Sequence, residues 1–303
     1  MRFAMLVKST PKSETGVMPD EKMLSEMGAY NDALIKAGAM LAGEGLAASS
    51  KGARARWTNG QVKVIDGPFA ESKELVSGFW VIQVKSRDEA IAWAKRVPFE
   101  EGEIEIRALY EVDDFPIDPS EQPDGWRDQE QRIRDEQQPI TTSTPAPSSA
   151  PRDGKRRFMA MLKSDHASES GALPAPEGLA EMGALMEEAI KSGTVTAGEG
   201  LKPSASGARV RFAGAQRSLI DGPFTESKEM IAGYCIVRAK SLAEAVEWSK
   251  RWLEIHARHA GVAQSEIEVR QVHELEDFPV DPTEKRGGWR EQEQRFREQS
   301  GQT

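Results

Sequence analysis

The sequence predicts an α+β protein built from two similar units that close on one another. Three observations carry this: a long internal repeat, alternating strand and helix periods within each copy, and a proline-rich stretch between the copies. The repeat is dense. Residues 65–74 (IDGPFAESKE) return as 220–229 (IDGPFTESKE), nine of ten identical at an offset of 155. At the same offset AGEGL at 42–46 returns at 197–201, and Arg54, Arg56, Gly78 and Trp93 return as Arg209, Arg211, Gly233 and Trp248. An insertion around residues 252–263 widens the offset to 163, at which Asp114-Phe115-Pro116 and Gly125-Trp126-Arg127 also return. A fixed period of this kind sets the architecture before any single element is considered.

Each element of the first unit follows from its pattern. Residues 3–7 form a short apolar run flanked by charge, which reads as a buried strand. From Asp20, Met23, Met27, Tyr30, Leu34 and Ala37 recur every three to four positions and Gly38 closes the helix. A second strand spans 39–46. Residues 54–57 and 61–65 flank Asn59-Gly60, the favoured pair for a two-residue hairpin. Residues 79–84 give a further strand, and Ser86-Arg87-Asp88-Glu89 is a capping box opening a helix with Ala90, Ile91, Ala94 and Val97. Residues 103–110 alternate through Ile104, Ile106, Ala108 and Tyr110. The order β-α-β-hairpin-β-α-β is a ferredoxin-like split βαβ with an extra hairpin, whose sheet has one uncovered face. Two units face to face would bury both.

Residues 139–151 hold four prolines among small polar residues and read as an extended linker. The chain therefore divides into a first unit with a polar tail (1–136), a linker (137–155) and a second unit with a polar tail (156–303). The tails carry mixed charge and read as short solvated helices.

Composition narrows the functional classes. The 303 residues hold 40 Lys and Arg against 49 Asp and Glu, a net charge of −9. That argues against a nucleic-acid footprint. Mean hydropathy is −0.56, and no apolar run approaches the roughly 18 residues of a membrane span. The first residues are too soon interrupted by charge for a secretory signal. Cys235 is the single cysteine, so an internal disulfide is excluded and a reducing, cytoplasmic setting is expected. One Cys and four His cannot build a Cys/His metal knuckle, and the AGEGL glycines lack the length and lysine of a phosphate loop. No metal and no cofactor are expected.

The AGEGL block, the IDGPF(A/T)ESKE block, the Gly-aromatic strand, the EA(I/V)xW helix and the E-I-E-(I/V)-R strand together resemble the YCII-related family, and within it the DGPF branch. The resemblance covers residues 2–111 and 157–274. It implies a dimeric α+β barrel, formed here as a pseudo-dimer within one chain that runs as a monomer. It also implies a bacterial, cytoplasmic protein, with a few relatives acting as lyase- or dehydrochlorinase-type enzymes through a His–Asp pair. Genes of that branch often lie beside sigma-factor genes. All four histidines, His166, His256, His259 and His273, fall in the second unit, so a His–Asp dyad common to both units is impossible.

Several residues stand as candidates, each with two readings. Asp66 and Asp221 end a strand before Gly-Pro, either as pocket-mouth carboxylates acting as bases or as turn aspartates bonding their own backbone. Glu44 and Glu199 sit between glycines on apolar strands and need a cation if buried, for which Arg54, Arg56 and Arg107, with Arg209, Arg211 and Arg270, are available. They are either catalytic carboxylates or halves of cross-strand ion pairs. Glu71 and Lys73, with Glu226 and Lys228, either frame a polar ligand or lead, solvated, into a strand. Trp93, Trp248 and Cys235 read as packed residues. The expected function is binding of a small polar molecule in a cleft lined by Glu44, Asp66 and Arg54 or Arg56 and their counterparts, with carboxylate-based isomerase- or lyase-type chemistry. The alternative is a non-catalytic protein-interaction or regulatory module, binding a protein regulator and linked to a sigma-factor-type stress response.

Overall fold

A computed structural model describes residues 1–71, 74–115, 154–224 and 230–278, together with Gln294. The linker apart from Gly154 and Lys155, and both polar tails apart from Gln294, lie outside the described residues.

The N-terminal half runs β1 (Arg2–Lys8), α1 (Pro11–Glu14), α2 (Glu21–Lys36), β2 (Met40–Gly45), β3 (Gly52–Thr58), β4 (Gln61–Asp66), β5 (Val76–Gln83), α3 (Arg87–Lys95) and β6 (Glu101–Ala108). The C-terminal half repeats this as β7 (Arg156–Lys163), α4 (His166–Glu169), α5 (Pro176–Lys191), β8 (Val195–Gly200), β9 (Ala208–Ala213), β10 (Gln216–Asp221), β11 (Ile231–Ala239), α6 (Leu242–Ala260) and β12 (Gln264–Gln271). The expected order holds, with the four-residue α1 and α4 added. Asp20 caps α2, and Ser86 caps α3 by accepting the Glu89 N–H at 3.2 Å. The reciprocal half of that box shifts by one residue, because Glu89 takes the Lys85 N–H instead. In the C-terminal half the insertion lengthens the helix. There α6 runs for 19 residues, against nine in α3, burying Trp252, Leu253 and Ile255 before Gly261 ends it at φ 62°.

The hairpins change places. The strands form two six-stranded antiparallel sheets, ordered β10-β9-β6-β1-β5-β2 and β4-β3-β12-β7-β11-β8. Each half thus supplies four strands of its own sheet, and its hairpin crosses to complete the other half's sheet. The outer face of the first sheet packs on α2 and α3 through Phe3, Met5, Leu34, Ile91 and Trp93, joined by Val210 and Phe212 of the visiting β9. Ala53 and Ala55 of β3 join the second core in the same way. Fully burying a side chain such as Val or Phe contributes about 1.5–3 kcal/mol, so withdrawing a hairpin would be costly.

The two sheets meet through their other faces, as the uncovered face predicts. Ala4, Leu6, Phe79 and Val81 of one half pack with Met159, Met161, Tyr234 and Ile236 of the other. Isolated bridges, Leu46 to Val272 and Leu109 to Leu201, tie the outer β2 and β8 across to the opposite sheet. Among the described residues, no helix is long and apolar enough to cross a membrane.

Candidate functional site

The crossed hairpins bring charges of both halves together at two related seams. A strand has a side-chain period of two, so β12 turns Ile267 and Val269 to the helices and Glu266, Glu268 and Arg270 to the facing sheet. The register places Arg54 of β3 opposite Glu268, and Arg56 opposite Glu266. Arg54 donates from Nε to Glu268 at 2.9 Å, and Arg56 likewise to Glu266 at 2.8 Å. Arg270 holds the second oxygen of Glu268 at 3.0 Å, reaches Glu14 of α1 at 3.1 Å and gives Nε to the Ala47 carbonyl at 3.0 Å. Lys163 of β7 adds its charge 3.5 Å from Glu268. Glu268 and Arg270 are wholly buried. Burial alone would raise the Glu268 pKa, but Lys163, Arg270 and Arg54 outweigh it and bring the carboxyl down to about 2.

The second seam mirrors the first. Arg209 of β9 donates to Glu105 of β6 at 3.0 Å and Arg211 to Glu103 at 3.0 Å. Arg107 reaches Glu105 at 3.1 Å, Glu169 of α4 at 3.0 Å and the Lys202 carbonyl at 2.9 Å. Burial opposes ionisation of Glu105, yet Lys8, Arg107 and Arg209 hold its pKa below the usual carboxylate value.

The repeated IDGPF turn roofs each seam. A Cβ on Gly67 would stand 1.8 Å from the Ser49 carbonyl oxygen, and one on Gly222 1.8 Å from that of Ser204, so only glycine lets the backbone come so close. The Phe69 N–H donates to Ser49 Oγ at 3.1 Å, and the Phe224 N–H to Ser204 Oγ at 3.2 Å. Each ring then lies against its arginine, 4.1 Å from the guanidinium carbon of Arg54 or Arg209. Both Gly-Pro bonds are cis.

At the rim of the first seam, Glu74 sits 4.0 Å from Arg54, and Lys163 donates to its carbonyl at 3.1 Å. Partial burial, then the hydrogen bond and charge of the neighbouring Glu71 carboxylate, raise the Glu74 pKa. A carboxylate held back from ionisation beside two cations is suited to moving a proton.

The sequence candidates fall in three places. Arg54, Arg56, Arg209 and Arg211 line the seams, with Glu71 at the rim of the first. Glu44 and Glu199 are paired elsewhere. Arg157 bridges Glu44 and Glu274, the latter at 2.7 Å, and Arg2 bridges Glu199 and Glu111, the latter at 3.1 Å. Burial works to lower the Arg157 pKa, but pairing with Glu44 and Glu274 outweighs it and leaves it raised. Arg54, Arg56 and Arg107 therefore are not the partners of Glu44. The hairpin carries Arg54 and Arg56 into the opposite sheet, while Glu44 stays on β2, and Arg107 faces Glu105 and Glu169. Asp66 lies exposed at the end of β4. Asp221 is exposed too and pairs with Arg87 of the other half. Lys73, Glu226 and Lys228 lie outside the described residues.

The structure adds Lys8, Lys163, Glu14, Glu169, Glu74, Glu103, Glu105, Glu266 and Glu268 to the site residues. Their signal was present. GEIEIRA and SEIEVRQ set charges at every second position of strands whose other face is apolar, which a half-buried reading assigns to solvent. The structure also brings His256 of α6 to 3.2 Å from Asp165, whose pKa falls to about 2 chiefly through that hydrogen bond. His259 lies 2.7 Å from Glu181. Neither pair has a counterpart in the N-terminal half, which has no histidine. Among the described residues, no group of three His, Cys, Asp or Glu is arranged to hold a metal ion.

With this geometry in view, comparison with known proteins is specific. A family model described as the YCII-related domain matches residues 1–113 and 157–274. An uncharacterised protein of Rhizobium meliloti (strain 1021) is 32% identical over 102 residues, covering 32% of this chain and 82% of that protein.

Proposed function

The chain belongs to the YCII-related family, and from that premise we propose that it binds a small polar, anionic or amphoteric molecule at the seams between its two halves. One observation carries this: a buried, mixed-charge cluster lies beneath a glycine-dependent turn at each seam. Stability alone does not call for it, since apolar residues of similar volume usually serve as well as a buried ion pair. Clusters of strongly shifted carboxylates also favour functional positions. Arg54, stacked on Phe69, and Lys163 would face the negative group of the ligand, while Glu74, paired with Glu71, would act as general base or acid in isomerase- or lyase-type chemistry. The IDGPF turn supports placement in the DGPF branch, and the single buried Cys235 suits a bacterial cytoplasm. A regulator-binding module is the weaker reading. Among the described residues the exposed large apolar side chains are Met1, Val17, Val64, Leu219 and Ile220, too few for a broad docking patch.

A thermal-shift panel of small dicarboxylates, amino acids and phosphate tests the proposal. A ligand at 100 times its Kd adds about 2.7 kcal/mol to stability. The shift should survive Asp66→Asn with Asp221→Asn and shrink with Glu74→Gln or Arg54→Lys, which remove the first seam's share. A shift lost on the aspartate changes, or no shift across the panel, would contradict it.

A further inference from the structure

We infer that the two seams are not equivalent, and that Arg87 makes them so by pinning the turn over Arg209 while the turn over Arg54 stays free to lift for a ligand. This rests on the ligand-binding reading above. Arg87 is the first residue of α3, where the partly positive helix end disfavours a cation. Its side chain instead crosses to the other half. There Nη2 donates to the Gly207 carbonyl at 2.7 Å and to the Asp221 carboxylate. Gly207 O is also the oxygen that takes the Gly222 N–H, at 3.2 Å, and so closes the turn. One guanidinium therefore holds the start of the 221–224 turn twice, through the Asp221 carboxylate and through the carbonyl that takes the next N–H.

Among the described residues the first seam has no such grip. At the 155 offset the counterpart of Arg87 is Leu242, which packs against the second core and has no side-chain donor. Gly52 O receives the Gly67 N–H at 3.0 Å, and Asp66 stands exposed. Inside the turns the two seams match closely: both phenylalanine N–H groups meet a serine hydroxyl, and both rings lie 4.1 Å from their arginines. Among the described residues, the Arg87 clamp outside the turn is a difference between them. Arg87 is thus a positioning residue for one roof, acting from the opposite half. Its loss should free that roof without touching the charges beneath.

Amide exchange on the full chain tests this without any ligand. The Phe69 N–H should exchange about five- to tenfold faster than that of Phe224, as expected for a difference of one charge-assisted clamp in local opening. Arg87→Leu should bring Phe224 to the Phe69 rate, and Leu242→Arg should slow Phe69. Equal rates in the native chain, or a Phe224 rate indifferent to Arg87→Leu, would overturn the inference. Succinate titration supplies a second reading, with one site per chain expected natively and two in Arg87→Leu; two native sites would also overturn it. Unequal exchange without succinate binding would uphold the clamp and count against succinate as a ligand of the seam.

Discussion

Glu268 stands between Arg54, Arg270 and Lys163 with no exposed surface, and its chemistry fixes how the protein should respond to acid. Its folded pKa of about 2 lies below the usual 4.5. A depressed carboxylate adds stability above its unfolded pKa and forfeits it as pH falls toward the folded one. The melting temperature should therefore fall steeply between pH 4.5 and 2, with Glu105 acting in the same direction. A flat profile there would show that these carboxylates are not held by their cations. Breaking one buried partnership should cost about 3–5 kcal/mol, so Arg270→Met should lower the urea midpoint sharply. Asp66→Asn, at an exposed turn, should stay within about 0.5 kcal/mol. The repeat pointed to Glu44 and Arg54 as residues. It did not give their partners, because a charge on a strand pairs with whatever strand lies alongside, and here that strand belongs to the other half.

At the scale of elements, local chemistry was legible nearly everywhere. Asn59 and Gly60 take φ of 48° and 87°, the positive values a two-residue hairpin of this kind needs. The strands and long helices of the N-terminal half fall within a few residues of their pattern-based positions. The destination of the hairpin was not legible. Alternation sets which face of β3 is apolar, but the second sheet satisfies that face as well as the first. The IDGPF turn gave a further clue whose meaning was hidden, since its glycine answers to Ser49, distant in sequence. Gly67→Ala should push the turn off Ser49, costing about 1–3 kcal/mol as an overpacked site does and exposing the Phe69 N–H to exchange. A neutral Gly67→Ala would show that the turn does not lie so close to Ser49.

The whole molecule is two halves, each completed by the other. Its central core draws side chains from both, both outer cores include visiting hairpin residues, and both seams are composite. The face-to-face closure followed from the sequence, because an uncovered sheet face demands a partner. The exchange did not, because either hairpin fits either sheet locally. A disulfide across the β3–β12 pair tests it most directly. Thr58 and Gln264 stand opposite one another in register, at a spacing a disulfide can span. Thr58→Cys with Gln264→Cys, in a chain carrying a protease site in place of residues 141–145, is oxidised, cut and run on a denaturing gel. One band of the intact 33.4 kDa mass that splits in two only on reduction is the predicted result. Two separate halves without reductant would mean that each hairpin stays with its own unit.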